Sequence, residues 1–282
     1  GNATFTGSIT APNLVGFKNY IINGGFDVWQ RGVSFSSFGY SADRATSNGD
    51  GTGAVSISKQ VFSAGDTSVV GAKNYYRFQR TTAGSGSTWT NAYVQYIEEL
   101  QRFAGKTLTL SFWVKNSINS NIDIHIQWIY GTGGSSTEAA KYTVPSTTSW
   151  TKVSCTFTVP TFSGKTFGAN NCMGINIAPN YQLNSVYTFD IAQVQLEEGS
   201  VATPFEVRPY GLELSLCQRY YETSQVNVTA YGIAGMVWAQ SIPLKVTKRV
   251  DPTVVIITPT GQNNIGTITT VDNDANAFIA TG

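Results

Sequence analysis

Few residues in this chain of 282 residues could perform nucleophilic catalysis. His125 is the only histidine, so any Ser-His or Cys-His pair must use it. The cysteines are odd in number and widely spaced, which fits neither a disulfide framework nor a zinc site. We therefore expect buried free thiols at Cys155, Cys172 and Cys217.

Paired carboxylates are the second kind of catalytic group to consider, because glycoside hydrolysis needs two of them about 5–10 Å apart. Glu98 and Glu99 are adjacent, as are Glu197 and Glu198. Adjacent residues on a strand point to opposite faces, so neither pair can share a site, and other pairings stay open. We predict no catalytic residues and no enzyme, with polysaccharide depolymerisation as the alternative.

One loop offers oxygen atoms to a metal ion. The segment "DRATSNGDGTG" holds Asp43, Asn48 and Asp50, which are ligand types that calcium prefers. It lacks the EF-hand spacing, since Ala54 stands at the acidic twelfth position. We predict a solvated turn, no cofactor and no metal ligand, with a structural calcium as the alternative.

The composition narrows the classes of partner. Charged residues make up only 12% of the chain, against about 25% in average proteins, and the formal net charge is +1. A nucleic-acid-binding protein would normally carry a basic patch, so we expect no nucleic-acid partner. No run of about 18 apolar residues is present, so we expect no membrane insertion either.

The elements that must position these residues are β-strands, because apolar and polar residues alternate along short segments separated by Gly, Ser, Asn and Pro. One possible helix is 211–222, which could equally lead into a strand. The pattern predicts an all-β fold, an antiparallel β-sandwich of the jelly-roll type. Its eight predicted strands are 54–61, 75–80, 92–98, 107–115, 122–130, 152–159, 172–178 and 187–197.

The jelly-roll order predicts which strands share a sheet. Counted along the chain, the first, eighth, third and sixth strands form one sheet, and the second sheet contains 75–80, 172–178, 107–116 and 121–130. In that sheet Cys172 lies two strands, about 10 Å, from His125, which is beyond hydrogen-bond reach.

The outward side of this second sheet carries the residue types that bind sugars, namely an aromatic ring, planar amides and charged groups. The predicted ligand-binding residues are Arg77, Gln79, Trp113, Lys115, Asp123, His125, Gln127 and Asn176. Trp113 points outward in the middle of a polar face, which predicts that its ring contacts a binding partner, either a glycan or a neighbouring subunit. Loop aromatics form a second candidate surface, at Trp89, Tyr93 and Tyr181.

The chain divides into three predicted regions. Residues 1–17 predict a linker with one strand that has no local partner. Residues 18–208 predict the jelly-roll domain. Residues 209–282 predict a small C-terminal β tip with strands at 235–246 and 253–257, where Pro243 and Pro252 indicate edge or strand-start positions.

Five ordered motifs resemble a module of bacteriophage tail fibres and tailspikes: "NYIINGGFDVWQRG…YSADR", "GKTLTLSFWVKNS", "TSWTKVSCTFTVP", "FDIAQVQLEEGSVATPFEVRP" and "CQRYYE". Within them, Gly105–Lys115 and the spacing of Trp150 and Phe157 resemble jelly-roll carbohydrate-binding modules. In such modules a structural calcium often binds an acidic residue of the last strand, and here Gln193 takes that place.

The resemblance implies a homotrimeric receptor-binding protein of the virion, with residues 1–17 as the end of its fibre shaft. Such a protein would be assembled in the host cytoplasm, joined to upstream fibre or tail proteins, and would attach to a host-surface polysaccharide or lipopolysaccharide. A structural cap for the trimer, without glycan binding, is the alternative. In the first motif, Phe26 and Trp29 are expected to fill the core end of the sandwich, and Arg31 to reach Asp43 or Glu197.

Overall fold

The computed structural model describes residues 17–85, 89–179, 185–224, 239–253, 269–273 and 277–281. The predicted shaft strand, Tyr181 and most of the predicted strand 253–257 lie outside these ranges. The first strands are β1 (Ser34–Phe35), β2 (Gly39–Tyr40), β3 (Thr46–Gly49), β4 (Val55–Val61), β5 (Asn74–Arg80), β6 (Thr90–Glu98), β7 (Thr107–Asn116) and β8 (Asn121–Ile129). The remaining elements are β9 (Glu138–Pro145), β10 (Thr151–Thr158), β11 (Cys172–Pro179), β12 (Tyr187–Glu198), the helix α1 (Tyr210–Gln218), β13 (Ala239–Pro243), β14 (Thr269–Asn273) and β15 (Ala277–Thr281).

Two antiparallel six-stranded sheets form a β-sandwich, as predicted. Sheet A has the order β1-β4-β5-β12-β7-β10, and sheet B has the order β2-β3-β6-β11-β8-β9. Strands β5 to β12 wind between the sheets in the jelly-roll order, and β4 with β1 and β3 with β2 extend the two sheets. The fold is therefore an all-β jelly roll.

The apolar face of each strand fills the space between the sheets, as the alternation predicts. On β7, for example, Leu108, Leu110, Phe112 and Val114 are all completely buried. Each such side chain contributes about 1.5–3 kcal/mol when it leaves water, so the core is the main source of stability.

The predicted assignment of strands to sheets was wrong. Strand β5 lies in sheet A, beside β12 and in the same sheet as β7, whereas β8 and β11 lie in sheet B. The prediction counted β4 as the first jelly-roll strand and omitted β9, which shifted the order by one. Strand β9 reads "EAAKYTVP", and its alanines, lysine and glutamate give it a weak strand signal.

The glycine-bounded segment near the start of the chain packs as predicted. Phe26 is completely buried between the rings of Tyr76 and Tyr93, and Trp29 stacks on Tyr76 at a centroid distance of 6.0 Å. The Arg31 guanidinium lies 3.3 Å from the Asp43 carboxylate, one of its two predicted partners. The two aromatics of this segment therefore belong to the core.

The first and last segments of the sandwich are bonded to each other. The Asn19 backbone donates to the Glu206 carboxylate at 2.7 Å, and its amide donates to the Val194 carbonyl oxygen. The buried Arg208 side chain donates to the Ile21 carbonyl oxygen and pairs with Glu213 of α1 at 3.3 Å. The two ends of the jelly roll thus meet in one polar network.

The region after residue 209 contains the helix α1 and a three-stranded sheet in the order β13-β15-β14. The helical alternative for 211–222 is confirmed over 210–218, and Pro243 ends an edge strand, as predicted. Among the described residues, no helix has both the length and the apolar character required to cross a bilayer.

Candidate functional site

The eight predicted ligand-binding residues all point outward, but they lie on opposite walls of the sandwich. Arg77, Gln79, Trp113 and Lys115 belong to the outer face of sheet A. The outer face of sheet B holds the other four, Asp123, His125, Gln127 and Asn176. Because stacked sheets are about 10 Å apart with the core between them, these two groups cannot bind one ligand as a single site.

On sheet A the predicted residues are engaged with their neighbours. Arg77 donates two hydrogen bonds to the carboxylate of Asp190, at 2.7 and 2.8 Å. Gln79 donates to the Thr188 hydroxyl at 3.0 Å. These cross-strand pairs fix the polar groups of β5 onto β12, which is a structural role.

The aromatic rings of sheet A also pack on one another. Tyr75 and Trp150 have centroids 5.3 Å apart, and Phe62 contacts both rings. The Lys115 ammonium lies 6.0 Å from the Trp150 centroid. Trp113 is half-buried on the same face, directly across from Ala192 of β12.

Part of this face is closed by residues 199–206. The Thr109 hydroxyl donates to the Gly199 carbonyl oxygen, and the Glu197 carboxylate accepts from the backbone and hydroxyl of Thr203. The chain after β12 thus folds back over its own sheet, and this half of the face is a packing surface.

Sheet B presents an unbroken row of side chains across all six of its strands. Residues that pair directly across strands share a face of the sheet. The strand register places in this row Tyr40, Thr46, Val94, Asn176, His125 and Lys141. Tyr40 is 48% exposed at one end and Lys141 is exposed at the other, whereas Thr46, Val94 and Asn176 between them are buried.

The neighbouring row brings a tyrosine ring and an amide together over a glycine. Tyr96 of β6 and Gln127 of β8 both pair with Gly174 of β11. A Cβ at Gly174 would lie 2.9 Å from Gln127 Oε1 and 3.5 Å from Tyr96 Cε1. Asn176 donates to Gln127 Oε1 at 3.2 Å, which fixes the orientation of that amide. The Gln127 amide N–H groups form no hydrogen bond within the described part of the chain.

His125 lies beside an ion pair on the same face. Lys141 contacts the Asp123 carboxylate at 2.7 Å, and Thr143 donates to it at 3.0 Å. Partial burial lowers the pKa of His125, with Lys141 acting in the same direction and Asp123 in the opposite one. The imidazole is therefore neutral at pH 7, with one donor and one acceptor nitrogen.

Three side chains of this face offer polar atoms to a ligand. In the ranges that the structure describes, the Tyr96 hydroxyl, the His125 ring and the Gln127 amide N–H groups have no hydrogen-bond partner. All three residues are half-buried: His125 and Gln127 lie two residues apart on β8, and Tyr96 lies on β6, on the other side of β11. We call Tyr96, His125 and Gln127 with Gly174 between them the sheet B site.

The sequence predicted two of these residues, His125 and Gln127, and missed Tyr96. Tyr96 lies in a predicted strand, but the polar Gln95 beside it gives no signal for an outward Tyr96, because the structure buries Gln95 and bonds its amide to the Ile22 backbone. Its neighbours on β8 and β11 could not be predicted, because the prediction placed 92–98 in a different sheet from those two strands. Of the predicted loop aromatics, Trp89 is exposed and Tyr93 is completely buried in the core.

The catalytic and metal candidates are dispersed. Cys172 faces Ile129 across the strands, four residues along β8 from His125, which is about 13 Å. The prediction of a solvated turn at 43–53 was wrong in part, because Asp43 is buried and Asn48 lies in β3. Their oxygens have separate partners, since Asp43 contacts Arg31 and Asn48 accepts from Asn91. Among the described residues, no group of three or more His, Cys, Asp or Glu side chains could hold a metal ion.

Comparison with known proteins gives structural likenesses alone. No family model matches the sequence, and no curated protein matches it. An enzymatically active domain of tailspike protein 4 from bacteriophage CBA120 is 16% identical, with a TM-score of 0.43, over 64% of this chain and 21% of that one. The matched region thus spans about a fifth of the tailspike chain.

Two carbohydrate-binding modules are also similar. A family 61 module solved with β-1,4-galactotriose is 12% identical, with a TM-score of 0.38, over 65% of this chain and all of that one. A family 11 module from a cellulosomal cellulase of Clostridium thermocellum is 14% identical, with a TM-score of 0.37, over 58% and 95% of the two chains.

Proposed function

We propose that this chain binds a cell-surface glycan without chemical turnover, through the sheet B site, as the receptor-binding part of a phage tail fibre or tailspike. The observation that carries the proposal is the set of unengaged polar atoms on Tyr96, His125 and Gln127. Sugars are recognised by an aromatic surface together with a few well-oriented donors and acceptors, and this site supplies both. The five phage-like motifs of the sequence support the biological setting.

Arg77 and Gln79 of sheet A do not compete for this role, because both already bond to β12. A ligand there would have to break those bonds, and an interaction with a charged group is worth about 1.5–3 kcal/mol. At the sheet B site a sugar hydroxyl would displace only water, and no hydrogen bond within the protein would have to break. The cost of binding is therefore lower on sheet B.

A glycan array that includes lipopolysaccharides and capsular polysaccharides tests the proposal. We expect the double change His125→Ala and Gln127→Ala to weaken binding about tenfold or more, since two hydrogen bonds of about 1 kcal/mol each are lost. Ser154→Ala, at an exposed position on β10 of the other sheet, is the matched control and should leave affinity unchanged. Unchanged affinity in the double variant would contradict the proposal.

Two further measurements separate the alternatives. Trp113→Ala tests the outer face of sheet A. If this variant keeps its oligomeric state and loses glycan binding, the binding site lies on sheet A. Incubation with the bound polysaccharide tests depolymerase activity, and we expect its chain length to stay constant. A folded wild-type protein that binds no glycan would favour the structural cap.

A further inference from the structure

Arginines gather at the edge of the sheet B site, around the end of β6. The Glu98 carboxylate is shared by two guanidinium groups, with Arg219 Nη2 at 3.3 Å and Arg249 Nε at 3.4 Å. Arg249 also donates to the Asn170 side chain at 2.8 Å. One carboxylate thus faces two cations, so a positive charge at this point is left uncompensated.

Arg44 adds a third cation to this group. Its guanidinium lies 3.5 Å from the centroid of the Tyr220 ring and donates to the Tyr96 carbonyl oxygen. It forms no ion pair in the part of the chain that the structure describes, and its buried Nε has no hydrogen-bond partner there. We call Arg44, Arg219 and Arg249 the arginine cluster.

The arginine cluster is a local feature and does not reflect a basic protein. The formal net charge of the whole chain is +1, whereas two arginines share one carboxylate here and Arg44 lies over the Tyr220 ring, next to Arg219. At the opposite end of the face, Lys141 is neutralised by Asp123 at 2.7 Å. The positive potential of the face is therefore concentrated at the β6 end.

The arginine cluster adjoins the sheet B site directly. Glu98 lies two residues after Tyr96 on the same side of β6, a distance of about 7 Å along the strand. The side chains of Arg219 and Arg249 are 42% and 34% exposed, so a ligand can reach them. A glycan on Tyr96 and Gln127 would extend toward these guanidinium groups.

We propose that the glycan bound at the sheet B site is acidic, and that the arginine cluster takes its carboxylate or phosphate group. This inference rests on the proposed function. Guanidinium groups present paired donors that match the two oxygens of such anions, and charge-assisted bonds of this kind are about twice as strong as neutral ones. The uncharged polar atoms of Tyr96, His125 and Gln127 then form hydrogen bonds with the sugar hydroxyls next to the acidic group.

Paired glycans test the acidic requirement. The probes are uronic-acid oligosaccharides and their carboxyl-reduced forms, together with phosphorylated mannans and their dephosphorylated forms. We expect binding to at least one acidic member and about tenfold weaker binding to its neutral counterpart. Whichever pair responds identifies carboxylate or phosphate as the anion.

Variants assign the effect to the arginine cluster. The double change Arg219→Gln and Arg249→Gln should abolish the preference for the acidic member and leave the neutral one unaffected. The double change Arg219→Lys and Arg249→Lys keeps both charges and should retain part of the preference for the acidic member. This variant distinguishes the loss of the guanidinium groups from a loss of folding. Lys152→Gln removes one charge from the exposed face of sheet A and should change nothing.

The outcomes separate this inference from the proposed function. Equal binding of acidic and neutral members, weakened in both by His125→Ala with Gln127→Ala, would overturn the acidic requirement and leave glycan binding in place. A preference that survives the double glutamine change would also overturn the role of the arginine cluster. Glycan binding that is insensitive to the His125 and Gln127 changes would overturn the proposed function itself.

Discussion

Single residues decide what the outer face of sheet B can bind, and Gly174 is the clearest case. Without a Cβ at this position, the Gln127 amide can lie across β11 toward the Tyr96 ring. Alternation in the sequence correctly predicted that Asp123, His125 and Gln127 point outward. It could not predict their neighbours, because side-chain direction follows from one strand whereas neighbours depend on strand order.

Gly174→Ala should weaken glycan binding with little effect on stability. The new methyl group would lie 2.9 Å from Gln127 Oε1, so the amide must move out of its place between Tyr96 and Asn176. The backbone should tolerate the change, because the shortest contact is with the end of a flexible side chain, and the Gln127 Cβ at 3.3 Å has to move by only a small amount. Binding and thermal unfolding of the same variant check both parts. Unchanged affinity would show that the position of the amide is irrelevant.

His125 should titrate below its ordinary pKa of 6.5, because burial disfavours the charged ring. The fold then favours the neutral form, so the contribution of His125 to stability is present above pH 6.5 and is lost as the pH falls through the lowered pKa. As the only histidine, it gives a single imidazole resonance in a proton NMR titration. A midpoint above 6.5 would mean that Asp123 outweighs burial and Lys141.

At the scale of elements, the strands were predictable and their assignment to sheets was not. All eight predicted strands exist within a few residues, because each has one apolar face that must be buried. Strand β9 was missed since Ala139 and Ala140 blur the alternation in "EAAKYTVP". In a jelly roll successive strands change sheets, so one omitted strand moves half of the predicted site to the opposite wall.

The predicted domain boundary at residue 208 divides a connected structure. Beyond it, the Glu213 carboxylate pairs with Arg208, and Cys217 is buried. Arg31 stacks on the Tyr221 ring at 3.6 Å. The helix α1 and Tyr221 therefore pack on the jelly roll, and the boundary itself stays a prediction.

A chain that ends at Arg208 should be less stable than one that ends at Ser224. In the shorter chain the buried Arg208 loses Glu213 and keeps Glu206, at 3.8 Å, as its remaining side-chain ion-pair partner, and breaking a buried ion pair costs about 3–5 kcal/mol. Both chains keep every strand of the sandwich, so chemical denaturation compares them directly. Equal midpoints would mean that 209–224 adds nothing to the stability of the jelly roll.

At the scale of the whole molecule, the sandwich ends in two long edge strands, β9 in sheet B and β10 in sheet A. Each has eight residues and leaves one side of its backbone without a strand partner in the described structure. Open edges of this length favour contact with another chain. The edges are consistent with the homotrimer that the phage-like motifs imply.

We expect a mass in solution three times the 30.4 kDa of one chain. Light scattering coupled to gel filtration measures it directly, and removal of residues 1–17 tests whether the predicted shaft segment holds the subunits together. A mass of one chain would contradict the trimer. It would leave the sheet B site unaffected, since each residue of that site belongs to a single subunit.

The network between the ends of the jelly roll has a mechanical consequence. Lys18 donates to the Pro204 carbonyl oxygen, and Asn19 binds Glu206, so the jelly roll begins and ends at adjacent points. Once a pulling force has detached the residues after 206, it would act on these few bonds and would not be transmitted through the two sheets. The jelly roll would then stay folded beside the line of tension.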